Sequence, residues 1–205
     1  MSLIEEILKE DSRRRKALSA PYNPVSGAIS PGNRFAITIP ELDQSRIHIP
    51  AAMKETPEVK SLLAGRALTE VFPGSLENAR QRWFQLRCRF DFPFWAYKCI
   101  RIKHKDGGSL DIPFLLNAPQ RKLIGEFEKM READMPIRIV LLKARQWGGS
   151  TATQMYMLWI QLMRRKGFNS LIVGHQHSST EEVIDMAKTA LNHYPRTLLT
   201  DDGTL

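Results

Sequence analysis

The stretch that decides the fold is Ile137-Arg-Ile-Val-Leu-Leu-Lys-Ala-Arg-Gln-Trp-Gly-Gly-Ser-Thr151. Its apolar run Ile139–Leu142 predicts a buried strand, the residues up to Gly149 predict a turn, and Ser150 begins an apolar helix. A helix that begins directly after a turn presents unpaired N–H groups and the positive end of its dipole to an anion. Adjacent glycines let the backbone approach that anion closely. The stretch therefore predicts a phosphate-binding loop, with an ordinary strand-to-helix turn as the alternative.

The loop departs at two positions from the usual phosphate-loop pattern, G-x-x-x-x-G-K-[ST]. Ala144 stands where the first glycine is expected, and Gly149 stands where the lysine is expected. We expect Lys143, at the loop entrance, to supply the missing ammonium group, and a lysine restored at Gly149 to replace it in part. Arg145 adds a second cation that faces the same anion. The hydroxyl of Ser150 is the candidate ligand for Mg²⁺.

The segment Lys143–Thr151 resembles the deviant Walker A loop of large terminase subunits, the ATPases that package DNA into viral capsids. In that family the loop is commonly x-x-R-Q-x-G-x-[ST], and some members carry the lysine at its first position. The resemblance implies that this loop holds ATP and that Arg145 has a catalytic role at the γ-phosphate. The nucleotide-binding residues implied in this way are Gln120, Lys143, Arg145, Gln146, Gly148, Gly149, Ser150 and Thr151.

The segment Phe114–Gln120 also resembles that family, which places an aromatic residue and a glutamine before the first strand to hold adenine. The amide of a glutamine donates to one atom of the adenine edge and accepts from another. Gln120 is therefore the candidate adenine ligand. The alternative is an exposed glutamine at the start of a helix, for which Asn117 is the predicted N-cap.

The elements around the loop predict an α/β fold. An apolar helix is expected over 151–166, and Leu171–Val173 predicts a second short strand. Strand, helix and strand over 137–173 indicate a βαβ unit with a parallel sheet, as in the first half of a P-loop NTPase core. Before it, apolar residues that alternate over 100–114 around Asp-Gly-Gly predict a β-hairpin.

Three regions are expected along the chain. Residues 1–50 are predicted to form a helix, over 2–19, and then an irregular proline-rich arm. Residues 51–99 are predicted to form a basic and aromatic helical region. Residues 100–205 are predicted to form the first half of the ATPase domain.

Positive charge is the main compositional feature. The net charge is +8 and the pI is near 9.7, which suits a polyanionic partner. Residues 75–105 interleave basic and aromatic side chains, a combination that can bind nucleic acid through phosphate contacts and base stacking. The alternative is an aromatic core with solvated arginines on the other face. The run Arg13–Lys16 is interpreted as a solvated face, or else as an arm that touches DNA.

The resemblance implies the nucleotide-binding portion of a viral DNA-packaging motor, which couples ATP hydrolysis to translocation of duplex DNA into a procapsid. It implies ATP and Mg²⁺ as cofactors, and duplex DNA, a portal and a small terminase subunit as partners. It also implies a homo-oligomeric ring in the host cytoplasm, without a membrane. No acidic strand end, catalytic glutamate or nuclease carboxylate cluster is recognised in the 205 residues, so this chain alone is expected to be inactive. The alternatives are a helicase-type DNA translocase and a non-catalytic, basic nucleic-acid-binding or assembly module.

Overall fold

The computed structural model describes residues 4–6, 22–103, 111–142, 147–164, 167, 169–171, 173 and 177–198. The helix predicted for 2–19 lies largely outside these ranges, with Ile4–Glu6 helical, and the run Arg13–Lys16 lies wholly outside them. The elements, in chain order, are β1 (Arg34–Thr38), β2 (Arg46–Pro50), α1 (Pro57–Leu63), α2 (Leu68–Val71), α3 (Leu76–Phe90), α4 (Phe92–Cys99), β3 (Arg101–Ile102), β4 (Ile112–Pro113), α5 (Ala118–Glu132), α6 (Gly149–Trp159) and α7 (His177–Asn192). The class is mixed α/β, and both sheets of the described part are two-stranded and antiparallel.

Residues 34–50 form a β-hairpin instead of the irregular arm that their prolines suggested. β1 pairs with β2 so that Ile37 lies opposite Ile47. Alternate side chains point to one face of the hairpin, and these two isoleucines are buried there. Pro40 follows β1 and Pro50 ends β2, so neither proline interrupts the ladder of hydrogen bonds.

Two hydrophobic cores meet along α3. The first core packs the hairpin against α1, α2 and the first half of α3, which contributes Trp83. The second core packs the end of α3 and α4 against α5, α6 and α7, around Trp95 and Trp159. All aromatic residues of the basic region except Tyr97 belong to these cores or pack against them, while Arg82 and Arg89 are exposed. This arrangement confirms the aromatic core of the alternative, but Arg87 is buried and not solvated.

A buried carboxylate, Asp91, joins the cores to the N-terminal segment. Its Oδ2 accepts hydrogen bonds from Arg34 at 2.5 Å and from Arg87 at 3.0 Å. Arg87 also donates to the carbonyl groups of Pro24 and Val25. Burial lowers the pKa of Arg87, and the negative charge of Asp91 opposes that shift. One ionic cluster therefore holds together the N-terminal segment, the hairpin and the junction of α3 with α4.

The prediction of a β-hairpin over 100–114 is confirmed by β3 and β4, which pair antiparallel with Ile102 opposite Ile112. Its turn, at 104–110, lies outside the described residues. The predicted N-cap is also confirmed, because the Asn117 side chain accepts a hydrogen bond from the first turn of α5.

The apolar helix predicted after the loop is confirmed as α6. It packs against α4, α5 and α7, and Ala152, Met155 and Trp159 are fully buried. A π-helical turn, Ile160–Arg164, continues it. None of the helices in the described part of the chain combines the length and apolarity needed to cross a membrane.

The two strands predicted on either side of α6 are not formed. Ile139–Leu142 is irregular, and Val140 and Leu142 are fully exposed. Leu171 and Val173 are also irregular and largely exposed. A strand is stable only where a neighbouring strand completes its hydrogen bonds, and no described segment pairs with either run. The predicted parallel βαβ unit is therefore absent from the described residues, while the α/β class stands.

The Asp91 cluster makes a prediction about stability. Asp91→Asn is expected to lower the free energy of unfolding by about 3 kcal/mol or more, because two buried guanidinium groups lose their counter-charge. Urea denaturation followed by circular dichroism measures this change. The control is Asp43→Asn, whose carboxylate lies 3.7 Å from Arg80 and is largely exposed, and which should change little. Equal effects of the two substitutions would contradict the structural role of Asp91.

Candidate functional site

Two glycines at the start of α6 hold the backbone where side chains have no room. Gly148 is the N-cap, with a φ angle of +79°, and a Cβ there would lie 2.6 Å from Nε2 of Gln120. A Cβ on Gly149 would lie 2.8 Å from Cε2 and 2.9 Å from Cη2 of the Trp147 ring. A lysine at Gly149, expected to replace Lys143 in part, would therefore overlap the indole unless the ring moved, and that expectation stays a prediction.

The N-terminus of α5 holds this loop through two side-chain amides. Asn117 and Gln120 form a capping box, in which each side chain accepts from the backbone N–H of the other at 2.9 Å. Nδ2 of Asn117 donates to the carbonyl of Trp147 at 3.0 Å, and Nε2 of Gln120 donates to the carbonyl of Gly148 at 2.9 Å. These bonds use one of the two N–H groups of Gln120 and one of its acceptor lone pairs. The start of α5 and the end of the loop are thus in direct contact.

A cavity of about 660 Å³ opens beside the start of α6, within the usual range for small-molecule sites. Apolar side chains come from β3, β4 and the segment that leads into α5, amides come from the start of α5, and carboxylates come from α7. The lining residues are Ile102, Lys103, Ile112, Phe114, Leu115, Asn117, Gln120, Trp147, Gly148, Thr151, Glu182, Asp185, Met186 and Thr189. The cavity therefore suits a ligand with a flat apolar part and polar groups around it.

The predicted site residues are brought together in part. Gln120, Gly148 and Thr151 line the cavity. Gly149 is buried, whereas Ser150 is exposed and does not line the cavity. Outside the described residues lie Lys143, Arg145 and Gln146. Of the two candidate hydroxyl-bearing residues in the first turn, Thr151 is the one that lines the cavity.

One face of α7 forms a wall of the cavity, and the sequence did not predict this wall. Glu182, Asp185, Met186 and Thr189 follow the spacing of one helical face, and all four line the cavity. The face lies against α6, where Oγ1 of Thr151 donates to Sδ of Met186 at 3.5 Å. The spacing is present in the sequence, but nothing in the sequence links this face to the loop.

Contacts just beyond the C-terminus of α7 fix that wall. Nε2 of His193 lies 2.9 Å from Oδ2 of Asp111, beside β4. Nε1 of Trp95 donates to Oη of Tyr194 at 2.9 Å. Burial raises the pKa of Tyr194, so its hydroxyl stays protonated at ordinary pH. The end of α7 is thereby attached both to the hairpin and to the aromatic core.

A buried polar cluster fixes α5 against α6 behind the cavity. Oη of Tyr156 donates to Oε1 of Glu128 at 2.5 Å, and Arg131 donates to Oε2 of the same carboxylate at 2.5 Å. Burial raises the pKa of Tyr156, and the charge of Glu128 raises it further. Because the phenol remains a donor at physiological pH, this contact holds the two helices in place across that range.

The chemistry of the described residues fits Mg²⁺ only as a partner of phosphate. No group of three or more His, Cys, Asp or Glu side chains that could hold a metal ion is found among the described residues. Thr151 brings a hydroxyl to the cavity, and Mg²⁺ commonly combines few protein ligands with phosphate oxygens and waters.

In comparisons with protein-family models, curated proteins and solved structures, no match to this chain was found. The family resemblance therefore depends on the sequence alone, over roughly 91–195, and chiefly on the segments 114–120, 143–151 and 174–183. The structure adds one independent fact, which is that Gln120 of the first segment contacts Gly148 of the second.

The packing of Trp147 over Gly149 makes a second prediction. Gly149→Ala is expected to destabilise the fold by about 1–3 kcal/mol, because the added methyl group overlaps the indole. The matched control is Gly125→Ala, also within a helix, where a Cβ would lie at an ordinary 3.7 Å from Pro31. That control should be neutral or slightly stabilising, since alanine favours a helix over glycine.

Urea denaturation of both single variants measures these changes, and the double variant Trp147→Ala/Gly149→Ala tests the cause. If the indole is responsible, the cost of alanine at 149 largely disappears once the ring is removed. A Gly149→Ala protein as stable as the wild type would contradict this account.

Proposed function

We propose that this chain is the nucleotide-binding portion of a terminase-type DNA-packaging ATPase, with ATP and Mg²⁺ as its cofactors. The observation that supports this best is the hydrogen bond from Nε2 of Gln120 to the carbonyl of Gly148, beside a cavity of about 660 Å³. The family resemblance assigns the glutamine to the base and the loop to the phosphates of one nucleotide. Their contact at a common cavity is what such an assignment requires.

The start of α6 is the proposed phosphate end. The N–H groups of Gly149, Ser150 and Thr151 belong to the first turn, where helices leave them without intrahelical partners, and the helix dipole favours an anion there. When bound, ATP with Mg²⁺ supplies the phosphoryl group whose transfer to water drives the motor. Thr151 offers its hydroxyl to the cation, and Lys143 and Arg145 offer positive charge to the phosphates.

The apolar side of the cavity is the proposed base end. Phe114 and Leu115 contribute apolar surface to it, which suits one face of a purine. Gln120 has one further N–H and one further lone pair that its bonds to the loop do not use. An adenine edge, with adjacent acceptor and donor atoms, complements that pair.

The proposal extends to the sheet and to the motor. Ile139–Leu142 and Leu171–Val173 flank α6 in the sequence as the strands of a βαβ unit would, and the exposed apolar side chains of Ile139–Leu142, Leu171 and Val173 are of the kind that a parallel sheet buries. In such a motor, ATP hydrolysis drives duplex DNA into a procapsid. Its partners are then a portal, a small terminase subunit and further copies in a ring, in the host cytoplasm.

The nucleotide proposal predicts that the 205-residue chain binds ATP in the presence of Mg²⁺. Thr151→Val should weaken that binding about tenfold, because a hydrogen bond or ligand bond to a charged partner contributes about 1.5 kcal/mol. Isothermal titration calorimetry measures both dissociation constants. The matched control is Thr153→Val, on the same helix but away from the cavity, and it should leave the affinity unchanged. Absence of ATP binding by the wild-type chain would sink the proposal.

The DNA proposal rests on basic residues that face solvent. Arg82 and Arg89 are exposed on α3, one heptad apart and thus near one face of the helix. We predict weak, sequence-independent binding of duplex DNA whose affinity falls steeply with salt, as counterion release requires. The double variant Arg82→Ala/Arg89→Ala should reduce the slope of log affinity against log salt by about 2.

Fluorescence anisotropy with a labelled duplex at several salt concentrations measures that slope. The control removes two exposed lysines that are already ion-paired, Lys60 with Glu55 and Lys129 with Glu126, and should change the slope less. DNA binding without ATP binding would favour the non-catalytic basic module. An unchanged slope in the arginine variant would assign the contact to another surface.

A further inference from the structure

The carboxylates of α7 have no part in the function proposed so far. Glu182 and Asp185 line the cavity together with Met186 and Thr189. These residues lie on one helical face, and the seven residue steps from Glu182 to Thr189 correspond to about 10 Å along the helix axis. That length is comparable to a nucleoside, so one ligand can contact the whole face. Both carboxylates are exposed, and a ligand in the cavity can therefore reach them.

The chemistry of this wall restricts which part of a ligand can lie against it. An ionised carboxylate only accepts hydrogen bonds, and its charge repels phosphate. Phosphates are therefore favoured away from this wall, at the N–H groups of α6 or beside Lys103, and the apolar residues around Phe114 favour a base. The hydrogen-bond donors of a nucleotide that lie between base and phosphates are the hydroxyl groups of the ribose. A carboxylate that accepts from the ribose 2′-hydroxyl is a familiar device in nucleotide sites.

We infer that Glu182 and Asp185 are specificity-determining residues that accept hydrogen bonds from the ribose hydroxyls and so select ribonucleotides over 2′-deoxyribonucleotides. The inference rests on the proposed nucleotide function and deepens it. It assigns a role to one face of α7, which the loop motif does not include. The Oγ1–Sδ contact of Thr151 with Met186 fixes that face beside the start of α6.

The test compares the binding of ATP and 2′-deoxyATP, each with Mg²⁺, to the full 205-residue chain by isothermal titration calorimetry. The wild type should bind ATP about tenfold more tightly, as expected for one hydrogen bond to a charged acceptor. Glu182→Ala or Asp185→Ala should lower the affinity for ATP towards that for 2′-deoxyATP. Removal of the carboxylate that accepts from the 2′-hydroxyl should leave the affinity for 2′-deoxyATP the same or raise it slightly, as repulsion of the phosphates is relieved, whereas removal of one that accepts from the 3′-hydroxyl should lower both affinities.

The matched control is Glu181→Ala, which removes the same charge from the same helix at a position that does not line the cavity. It should leave the ratio of the two affinities unchanged. Equal binding of both nucleotides by the wild type would overturn the inference and leave the nucleotide proposal intact. An equal gain in both affinities on removal of Glu182 or Asp185 would also overturn it, because the carboxylates would then only repel phosphate. Failure of both nucleotides to bind would overturn the function and the inference together.

Discussion

A buried carboxylate has lost its hydration shell and is stable only where positively charged groups take the place of that water. The side chain of Asp91 meets this condition through its ion pairs with Arg34 and Arg87. The requirement constrains distant parts of the chain, because each arginine also binds main-chain carbonyls of the N-terminal segment or the hairpin. Asp91 is in addition the N-cap of α4, where it accepts from the N–H of Phe94. The position of α4 sets the aromatic core against which α6 packs, and α6 begins at the cavity. The site therefore depends on a charge cluster that takes no part in its chemistry.

Sequence signals within a few residues were sufficient to predict the elements that are stabilised by contacts within the same few residues. The capping box at Asn117 satisfies donors within one turn of α5, so composition alone locates the helix start. The β3–β4 hairpin is likewise specified by its own alternation and turn residues. The β1–β2 hairpin was missed because its prolines suggested irregular structure, although they stand at the ends of the paired segments. The strands predicted at Ile139–Leu142 and Leu171–Val173 failed for the opposite reason, since a parallel strand depends on neighbours that its own sequence does not encode.

The same distinction, between features that a short stretch of sequence specifies and features that depend on tertiary packing, applies to the candidate site. The two glycines at the start of α6 stood out in the sequence because glycine lets the backbone approach an anion closely, Gln120 stood out through the family resemblance, and Gln120, Gly148 and Thr151 line one cavity. The tethers from Asn117 and Gln120 to the loop carbonyls were not predictable, since they depend on how α5 packs beside α6. The wall formed by α7 is a tertiary feature in the same sense. Contacts between Thr151 and Met186 and between Trp95 and Tyr194 help to place its carboxylates at the cavity.

The indole of Trp147 explains why the loop departs from the usual phosphate-loop pattern. The ring lies where a Cβ at position 149 would be, so in this conformation the tryptophan disfavours the usual lysine two residues away. Variation at these positions should therefore be coupled. In this conformation a lysine at 149 would need the ring at 147 to move or to be replaced by something smaller. If Lys143 serves the phosphates as proposed, its position at the loop entrance avoids that overlap.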